Sequence, residues 1–297
     1  MRALPANRPT GAAADSVGAT LVRDGARLAA ALGVEFADGY REAQGLLAAV
    51  ACLSRAQIVA RQSDRLDIPV RRAYADLVER RSRGEPYAYL VGRREFHGLD
   101  FPVTPAVLIP RPETEILVDA VLARIGPDQD ARILDLGTGS GAVAITLARL
   151  RPRAEVFATD SSTVALGVAR ANALALAARV RFVESDWYAG LGCERFDVIV
   201  SNPPYVAAGD PHLDRGDLRF EPRAALVGGA DGLDCLRALV DGAARHLTPG
   251  GALFFEHGHD QAAACRELLE VAAFRSISTI RDLAGIERVT CGQTARH

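Results

Sequence analysis

The spacing of hydrophobic residues changes character along the chain, which has 297 residues. Up to about residue 92, apolar positions recur at intervals of three and four. The segment REAQGLLAAVACL, for example, places Ala43, Leu46 and Leu47 on one helical face. A second segment, VRRAYADLVERRSRGEP, repeats this spacing, and its arginines form either a solvated face or a docking surface for an acidic partner. The pattern predicts a small helical domain over residues 20–92.

From residue 131 onward, short apolar and partly β-branched runs end in polar or glycine turns and alternate with helix-like segments. The runs are ARILDLG, AEVFATD, VRFVESD, FDVIVSN and GALFFEHG. Strands of this kind, separated by helices, are typical of a parallel sheet that is covered on both faces. The tail, FRSISTIRDLAGIERVTCGQ, contains two more strand candidates around Gly285. We expect these two strands to form an antiparallel pair that completes an α/β sheet.

The segment between these two regions has its own pattern. Aromatic and β-branched residues in REFHGLDFPVTP are interrupted at Gly98, which predicts a β-hairpin. The following IPRPETEILVDAVLARI predicts a helix that begins near Pro112, a residue type favoured at the first helical position. The predicted organisation is a disordered leader over residues 1–19, the helical domain, a hairpin linker over residues 93–110, and the α/β domain over residues 111–297.

Composition narrows the class of protein. The formal net charge is −2, which argues against a protein that mainly coats nucleic acid, so we expect no direct nucleic-acid binding. The first residues contain no apolar signal-peptide core, and no apolar run approaches the ~18 residues that a membrane-spanning helix needs. The five cysteines form no Cys-x-x-Cys pair, and we expect reduced, mostly buried thiols. These features predict a cytoplasmic protein.

Candidate ligand-binding residues follow three successive predicted strands. A glycine-rich loop after the first strand consists of Gly137, Thr138, Gly139, Ser140 and Gly141. Asp160 ends the next strand, where a carboxylate accepts hydrogen bonds from ribose hydroxyls. Asp186 and Trp187 follow the third strand, where they can bind an adenine amino group and stack on the ring. This order predicts an adenosine site. The alternative is an ordinary turn, a helix cap and a packing tryptophan.

The fourth strand ends in SNPPYV, a rigid corner that lacks two backbone donors. The Asn202 side-chain oxygen and the Pro203 carbonyl can together accept both protons of a planar NH₂ group. Pro204 stiffens the corner, and Tyr205 can stack on that flat group. Such a corner, next to a cofactor, suits methylation of an amide or aryl amine. A tight turn without chemistry is the alternative.

Two further segments carry polar residues for which the sequence allows more than one role. EHGHD contains Glu256, His257, His259 and Asp260, but the spacing does not suggest four-coordinate geometry, so we predict no metal site. Glu221, in RFEP, either reaches the mouth of the predicted pocket or anchors a loop.

From about residue 40 to 293 the sequence resembles the peptide chain release factor glutamine methyltransferases. The most specific segments are IPRPETE, DLGTGSG, SDW, SNPPYV and RFEPRAAL. The resemblance implies a Rossmann-like, seven-stranded class I methyltransferase domain that uses S-adenosylmethionine. It also implies a class I release factor as substrate, methylated at N5 of the glutamine in its Gly-Gly-Gln loop.

Carried over by motif, the residues that contact the cofactor are the glycine-rich loop, Asp160, Trp187 and Asn202. The segment from Asn202 to Tyr205 holds the glutamine, and the helical domain helps to dock the release factor.

Three other functions are compatible with parts of this sequence. An Asn-Pro-Pro-Tyr corner also occurs in adenine N6-methyltransferases that act on nucleic acid, although those usually carry a basic base-reading domain. A related family methylates a glutamine of a ribosomal protein. A non-catalytic module that binds S-adenosylmethionine is the third possibility, and the complete Asn-Pro-Pro-Tyr corner argues against it.

Overall fold

The computed structural model describes residues 16–296, and the chain divides into two compact units between Gly92 and Arg93. Residues 1–15 of the predicted leader lie outside the described residues. The leader prediction extends too far, because a helix already begins at Val17. Ser16 starts this helix by accepting a hydrogen bond from the Ala19 amide at 3.2 Å, a capping interaction that satisfies one of the free amides of the first turn.

The smaller unit is helical, as predicted. Its helices within residues 16–92 are α1 (Val17–Leu32), α2 (Phe36–Ala51), α3 (Arg55–Ala60), α4 (Ile68–Ser82) and α5 (Tyr87–Val91). Helices α1 and α2 cross closely at Gly25 and Gly39, where any β-carbon would overlap the backbone of the other helix. Leu21, Leu46 and Tyr74 are among the buried side chains that form the core of this unit.

The arginine-rich helix α4 is only partly a free surface. Arg81 is buried and donates two hydrogen bonds to the carboxylate of Glu42, at 2.7 and 3.0 Å. Arg71 and Arg72 are exposed. The exposed arginines leave both predictions for this face open, whereas Arg81 has a structural role because it pairs α4 with α2.

The larger unit begins with the predicted hairpin, formed by β1 (Arg93–Phe96) and β2 (Leu99–Pro102). Its two-residue turn places His97 and Gly98 at φ of 51° and 75°, the left-handed conformations that a tight hairpin requires. Phe96 and Phe101 are fully buried in the core of the larger unit. The hairpin is therefore an integral part of this unit, and the prediction of a separate linker does not describe its packing.

A seven-stranded sheet forms the centre of the larger unit, which confirms the predicted fold class. Its strands are β3 (Arg132–Leu136), β4 (Glu155–Asp160), β5 (Val180–Glu184), β6 (Phe196–Ser201), β7 (Leu247–Glu256), β8 (Arg275–Arg281) and β9 (Glu287–Gln293). The order across the sheet is β5-β4-β3-β6-β7-β9-β8. Strands β3 to β7 are parallel to one another, and β9 pairs antiparallel with both β7 and β8.

Helices cover both faces of the sheet. They are α6 (Glu115–Arg124), α7 (Ala142–Leu150), α8 (Thr163–Ala175), α9 (Asp234–His246) and α10 (Ala262–Val271). Alternate strand residues enter different cores: Ile133 packs with α6 and α7, whereas Leu134 packs with α9 and α10. Because both faces of each central strand are buried, the strands are apolar almost throughout, as the sequence indicated.

The order of the strands determines where a ligand can bind. The chain runs outward from β3 through β4 to β5 and then returns to place β6 on the other side of β3. At such a reversal, the loops that follow β3 and β6 separate and leave a crevice at the carboxyl ends of the strands. The predicted functional residues lie at the carboxyl ends of β3, β4, β5 and β6.

Two of the general expectations can be compared with the structure. Within residues 16–296, no helix is both long and apolar enough to cross a membrane. The thiols are free, but the expectation that most are buried is wrong. Of the five, Cys265 alone is buried, and Cys52 and Cys193 are exposed.

Candidate functional site

A cavity of about 320 Å³ opens at the carboxyl ends of β3 to β6, within the size range typical of small-ligand sites. The predicted residues that line it are Gly137, Gly139, Asp160, Asp186, Trp187, Asn202 and Pro204. A smaller recess of about 50 Å³ shares Gly137, Gly139 and Asn202 with it and adds Thr138 and Ser140. Gly141, Pro203 and Tyr205 line neither space, so their contributions to the site must be indirect or made through the backbone.

The glycine-rich loop is held open by backbone conformation. Gly137 and Gly139 have φ values of 71° and 56°, which residues with a β-carbon rarely adopt. The Thr138 amide donates to the Thr159 carbonyl at 2.8 Å, so the loop is tied to the end of β4. Gly141 begins α7, and a β-carbon there would lie 2.7 Å from the Ile145 side chain. Its role is therefore close packing below the loop.

Asp160 fixes the loop and still has capacity for a ligand. One carboxylate oxygen accepts a hydrogen bond from the Gly139 amide, and the other accepts from the Ser162 amide, both at 2.9 Å. A carboxylate has about four acceptor positions, so two remain for a ligand. Asp160 lines the larger cavity, where those positions suit the two hydroxyls of a ribose.

A second carboxylate, Asp135, lies beneath the same loop and is 1% exposed. It accepts hydrogen bonds from the Thr138 hydroxyl at 2.7 Å and from the Ala144 amide at 3.1 Å. Burial raises the pKa of Asp135 to about 7, although the two hydrogen bonds act in the opposite direction. This residue therefore stabilises the loop from below, and it lines the smaller recess but not the larger cavity.

The predicted adenine-binding residues stand at the far side of the cavity. Trp187 has a φ of 47°, a left-handed conformation that is uncommon for a bulky residue. Its carbonyl accepts a hydrogen bond from the Ser185 hydroxyl at 2.7 Å, which helps to hold that conformation. Asp186 and Trp187 both line the cavity, so an aromatic surface and a carboxylate face the same space as Asp160.

Side chains from three distant segments meet at the proline corner. The Asn202 Nδ2 donates to the Thr114 hydroxyl at 3.0 Å, and that hydroxyl donates to Glu256 Oε2 at 2.7 Å. The Tyr205 hydroxyl donates to the other oxygen, Glu256 Oε1, at 3.0 Å. Burial raises the pKa of Glu256, and burial reinforced by the Glu256 charge raises the pKa of Tyr205, which keeps the phenol protonated. The corner is thus fixed by one buried carboxylate.

The two prolines occupy different environments. Pro203 is buried, whereas Pro204 lines the cavity beside Asn202. Within residues 16–296, no group donates a hydrogen bond to the Pro203 carbonyl or to Asn202 Oδ1. Of these two acceptors, Asn202 Oδ1 belongs to a residue that lines both recesses, whereas Pro203 lines neither.

Glu221 anchors a loop, which resolves the two predictions made for it. Its buried carboxylate accepts a hydrogen bond from the Ile109 amide at 3.0 Å and pairs with Arg111. The neighbouring residues Ala106, Val107 and Leu108 form one wall of the cavity. Glu221 thus holds this wall in place, and it joins the IPRPETE and RFEP segments, which lie about a hundred residues apart in the chain.

The EHGHD segment does not assemble a metal site. His257 is buried, and its ring nitrogens face the Thr290 hydroxyl and the Gly258 carbonyl, each at 2.9 Å. Burial lowers the pKa of His257, so the neutral ring is favoured. The structure, over its described part, contains no group of three or more His, Cys, Asp or Glu residues able to hold a metal ion.

Some residues that shape the site have no clear local signal in the sequence. Asn172 donates to the carbonyls of Pro102 and Ser140, at 3.0 and 2.8 Å, and so ties the hairpin to the glycine-rich loop. Asp135 and Glu256, by contrast, have a signal in the sequence, because each is an acidic residue within an apolar strand. A buried acidic residue requires hydrogen-bond partners, so such a position indicates a polar contact. The role of Thr114 could not be predicted in this way, because its partners Asn202 and Glu256 are remote in the chain.

Two family descriptions match the chain, one in each unit. Residues 21–92 match the PrmC N-terminal domain, and residues 112–216 match the Methyltransferase small domain. The second match contains the glycine-rich loop, Asp160, Trp187 and the proline corner.

Curated relatives are similar over most of the chain. A release factor glutamine methyltransferase of Burkholderia pseudomallei is 51% identical over 259 residues, covering 85% of this chain and 91% of the relative. A protein of the same name from Neisseria gonorrhoeae is 50% identical over 258 residues, covering 86% and 94%.

Among solved structures, the fold is similar to that of the T. thermophilus 16S rRNA N2 G1207 methyltransferase, which was solved in complex with AdoMet and guanosine. The TM-score is 0.51 and the identity is 25%, and the match covers 68% of this chain and 49% of that one. The family is established by the curated relatives, which are 50% and 51% identical to this chain over most of both chains. The chain belongs to the release factor glutamine methyltransferases.

Proposed function

We propose that this protein transfers a methyl group from S-adenosylmethionine to the side-chain amide nitrogen, N5, of the glutamine in the Gly-Gly-Gln loop of class I release factors. The proposal agrees with the names of the curated relatives. One observation of this chain carries it: Asn202 turns a free side-chain oxygen away from Thr114 and lines the cavity at the end of β6. A planar NH₂ group is the natural partner of such an acceptor.

The residues around the larger cavity fit S-adenosylmethionine. The two acceptor positions left on Asp160 suit ribose hydroxyls, and Trp187 offers an aromatic surface next to the Asp186 carboxylate for adenine. Gly137 and Gly139 expose backbone without β-carbons where the ligand must approach closely. When bound, the cofactor supplies an electrophilic methyl group on a positively charged sulfur.

The proline corner orients the acceptor nitrogen. An amide lone pair is delocalised into the carbonyl, so a glutamine NH₂ is a weak nucleophile. Asn202 Oδ1 and the Pro203 carbonyl accept hydrogen bonds from its two N–H groups, which increases electron density at nitrogen and fixes the plane of the amide. Holding reacting atoms ~3–3.5 Å apart can lower a barrier by roughly 7–11 kcal/mol in favourable cases.

The proposed reaction needs no strong base at this corner. Asn202 and the proline carbonyl are neutral, and the Glu256 carboxylate accepts hydrogen bonds from Thr114 and Tyr205. An amide nitrogen that has gained a methyl group is strongly acidic, so water can accept its proton. The corner therefore acts by position and polarity.

The two remaining parts of the proposal concern the partner and the compartment. We assign docking of the release factor in part to the helical unit, where Arg71 and Arg72 offer exposed positive charge. We place the protein in the cytoplasm, since release factors act there on ribosomes.

Mass spectrometry tests the proposal directly. A purified class I release factor is incubated with the protein and S-adenosylmethionine, and the loop peptide is sequenced. We expect one added methyl group on the loop glutamine, and none when that glutamine is replaced by asparagine or when the cofactor is omitted. Transfer to duplex DNA or to a ribosomal protein, with none to the release factor, would contradict the proposal.

A further inference from the structure

The hydrogen bonds at the proline corner have a direction that restricts the orientation of Asn202. Thr114 and Glu256 are only 4% and 1% exposed, so water cannot substitute for their partners. The Thr114 hydroxyl has a single proton, which it donates to Glu256 Oε2 at 2.7 Å. Toward Asn202 that hydroxyl can only accept, and it accepts from Nδ2 at 3.0 Å. The Asn202 oxygen must therefore point the other way.

This restriction matters because the two ends of an amide have nearly the same shape. A reversed Asn202 would fit the same space but would present NH₂ to the substrate instead of oxygen. Two NH₂ groups that face each other repel, and neither finds an acceptor. The orientation of Asn202 thus decides whether the corner can accept a glutamine amide.

The same carboxylate also holds the other side of the corner. Tyr205 donates its hydroxyl proton to Glu256 Oε1 at 3.0 Å, so the two oxygens of Glu256 serve residues on either side of the prolines. Thr114 lies in the turn before α6, and Glu256 is the last residue of β7. Three segments that are distant in sequence are therefore joined through one buried side chain.

We propose that Thr114 and Glu256 are positioning residues that set the amide orientation of Asn202 for the acceptor nitrogen. The inference rests on the proposed function. It goes beyond that function, because it assigns a role to two residues that act through Asn202 and Tyr205. Thr114 lines only the smaller recess, and Glu256 lines neither recess. A carboxylate that merely anchored the end of β7 would leave the orientation of Asn202 unaffected.

Three single substitutions distinguish these roles. Thr114→Val keeps the size of the side chain and removes the hydroxyl, whereas Thr114→Ser keeps the hydroxyl. Thr146→Val is the matched control, because Thr146 is fully buried in α7 and its hydroxyl has no hydrogen-bond partner within the described residues. Each variant is compared with the unsubstituted protein by thermal unfolding before activity is measured.

We expect Thr114→Val to reduce kcat for a release factor by about 10²-fold, the usual effect of losing one oriented polar group in an active site. The affinity for S-adenosylhomocysteine, measured by calorimetry, should stay within about twofold, because the cofactor cavity is unchanged. With S-adenosylhomocysteine bound, the variant should also bind a Gly-Gly-Gln peptide at least about fivefold more weakly. Thr114→Ser should recover most of both losses, and Thr146→Val should match the unsubstituted protein.

Each result has a definite consequence. Equal kcat for Thr114→Val and Thr146→Val would overturn the inference while the proposed function stands. Equal losses in Thr114→Val and Thr114→Ser would overturn it as well, since packing and not the hydroxyl would then matter. If Thr114→Val does not fold, Thr114→Ala replaces it, because it removes the same hydroxyl without adding bulk, and an unchanged kcat in that variant contradicts the inference. No transfer by the unsubstituted protein would instead overturn the proposed function, and the inference with it.

Discussion

The two ends of the site are built in different ways. At the cofactor end, the glycine-rich loop, Asp160 and Asp135 are linked by hydrogen bonds that join backbone and side chains of neighbouring segments. At the acceptor end, Asn202 is held by Thr114, 88 residues away in the chain, and Tyr205 is held by Glu256, 51 residues away. The contacts at the cofactor end are mostly local in the chain, whereas those at the acceptor end form only when remote segments come together in the fold.

This difference predicts that the two ends fail differently. Damage at the cofactor end should appear as weaker cofactor binding or altered stability. Damage at the acceptor end should appear as slower methyl transfer with normal cofactor binding, because only the orientation of the acceptor is lost.

The largest effect is expected for Asn202→Ala. The substitution removes one acceptor for the substrate amide and the alignment that it enforces, so kcat should fall by at least about 10³-fold, or about 4 kcal/mol. The melting temperature should change little, because Asn202 is only partly buried. Steady-state kinetics with a release factor measure the loss, and near-normal kcat would refute the role assigned to this residue.

The next effect concerns the stability of the cofactor end. Burial raises the pKa of Asp135 from 3.8 to about 7, so the folded protein holds this proton more tightly than the unfolded chain. The stability contributed by Asp135 is therefore complete below about pH 4 and is lost as the pH rises through about 7. We expect the unfolding free energy to fall by about 2–4 kcal/mol over this range, relative to Asp135→Asn.

Urea unfolding of the unsubstituted protein and Asp135→Asn at several pH values between 4 and about 8 measures this difference. Other titrating groups are common to both proteins, so they cancel in the comparison. Identical pH dependence of the two unfolding free energies would mean that Asp135 is already charged in the fold.

The smallest effect is expected for Asp160→Ala, which should weaken cofactor binding by roughly 1.5–3 kcal/mol, the usual worth of a hydrogen bond to a charged group. At saturating cofactor, kcat should change little. Glu184→Ala is the control, because Glu184 lies directly beside Asp160 in the sheet but does not line the larger cavity. Calorimetric titration with S-adenosylhomocysteine measures both variants, and equal dissociation constants would place the ribose elsewhere.

The same contrast explains what the sequence alone could predict. The fold class and the parallel sheet with its antiparallel end follow from apolar runs and turns, and the structure confirms them. The glycine-rich loop and Asp160 could be identified because each follows its own strand. Hydrophobic pattern and strand order suffice to bring these residues to one edge.

The acceptor end could be identified only in part. Asn202 was predictable from its position before two prolines, but its partner Thr114 is 88 residues away. Glu256 appeared in the sequence as part of a possible metal-binding segment, because nothing local reveals that Thr114 and Tyr205 consume its acceptor positions. Glu221 was equally ambiguous until the fold placed it beside Ile109. Contacts between segments that are remote in the chain produce no periodic pattern in the sequence, so the pattern cannot predict them.

We propose above that the end of β6 holds a glutamine amide between two oxygens. The most direct measurement is a crystal structure of the protein with S-adenosylhomocysteine and a Gly-Gly-Gln peptide. We expect the glutamine nitrogen to lie about 2.7–3.2 Å from both Asn202 Oδ1 and the Pro203 carbonyl oxygen. A structure in which Asn202 turns Nδ2 toward the peptide, or in which the glutamine lies away from this corner, would contradict it.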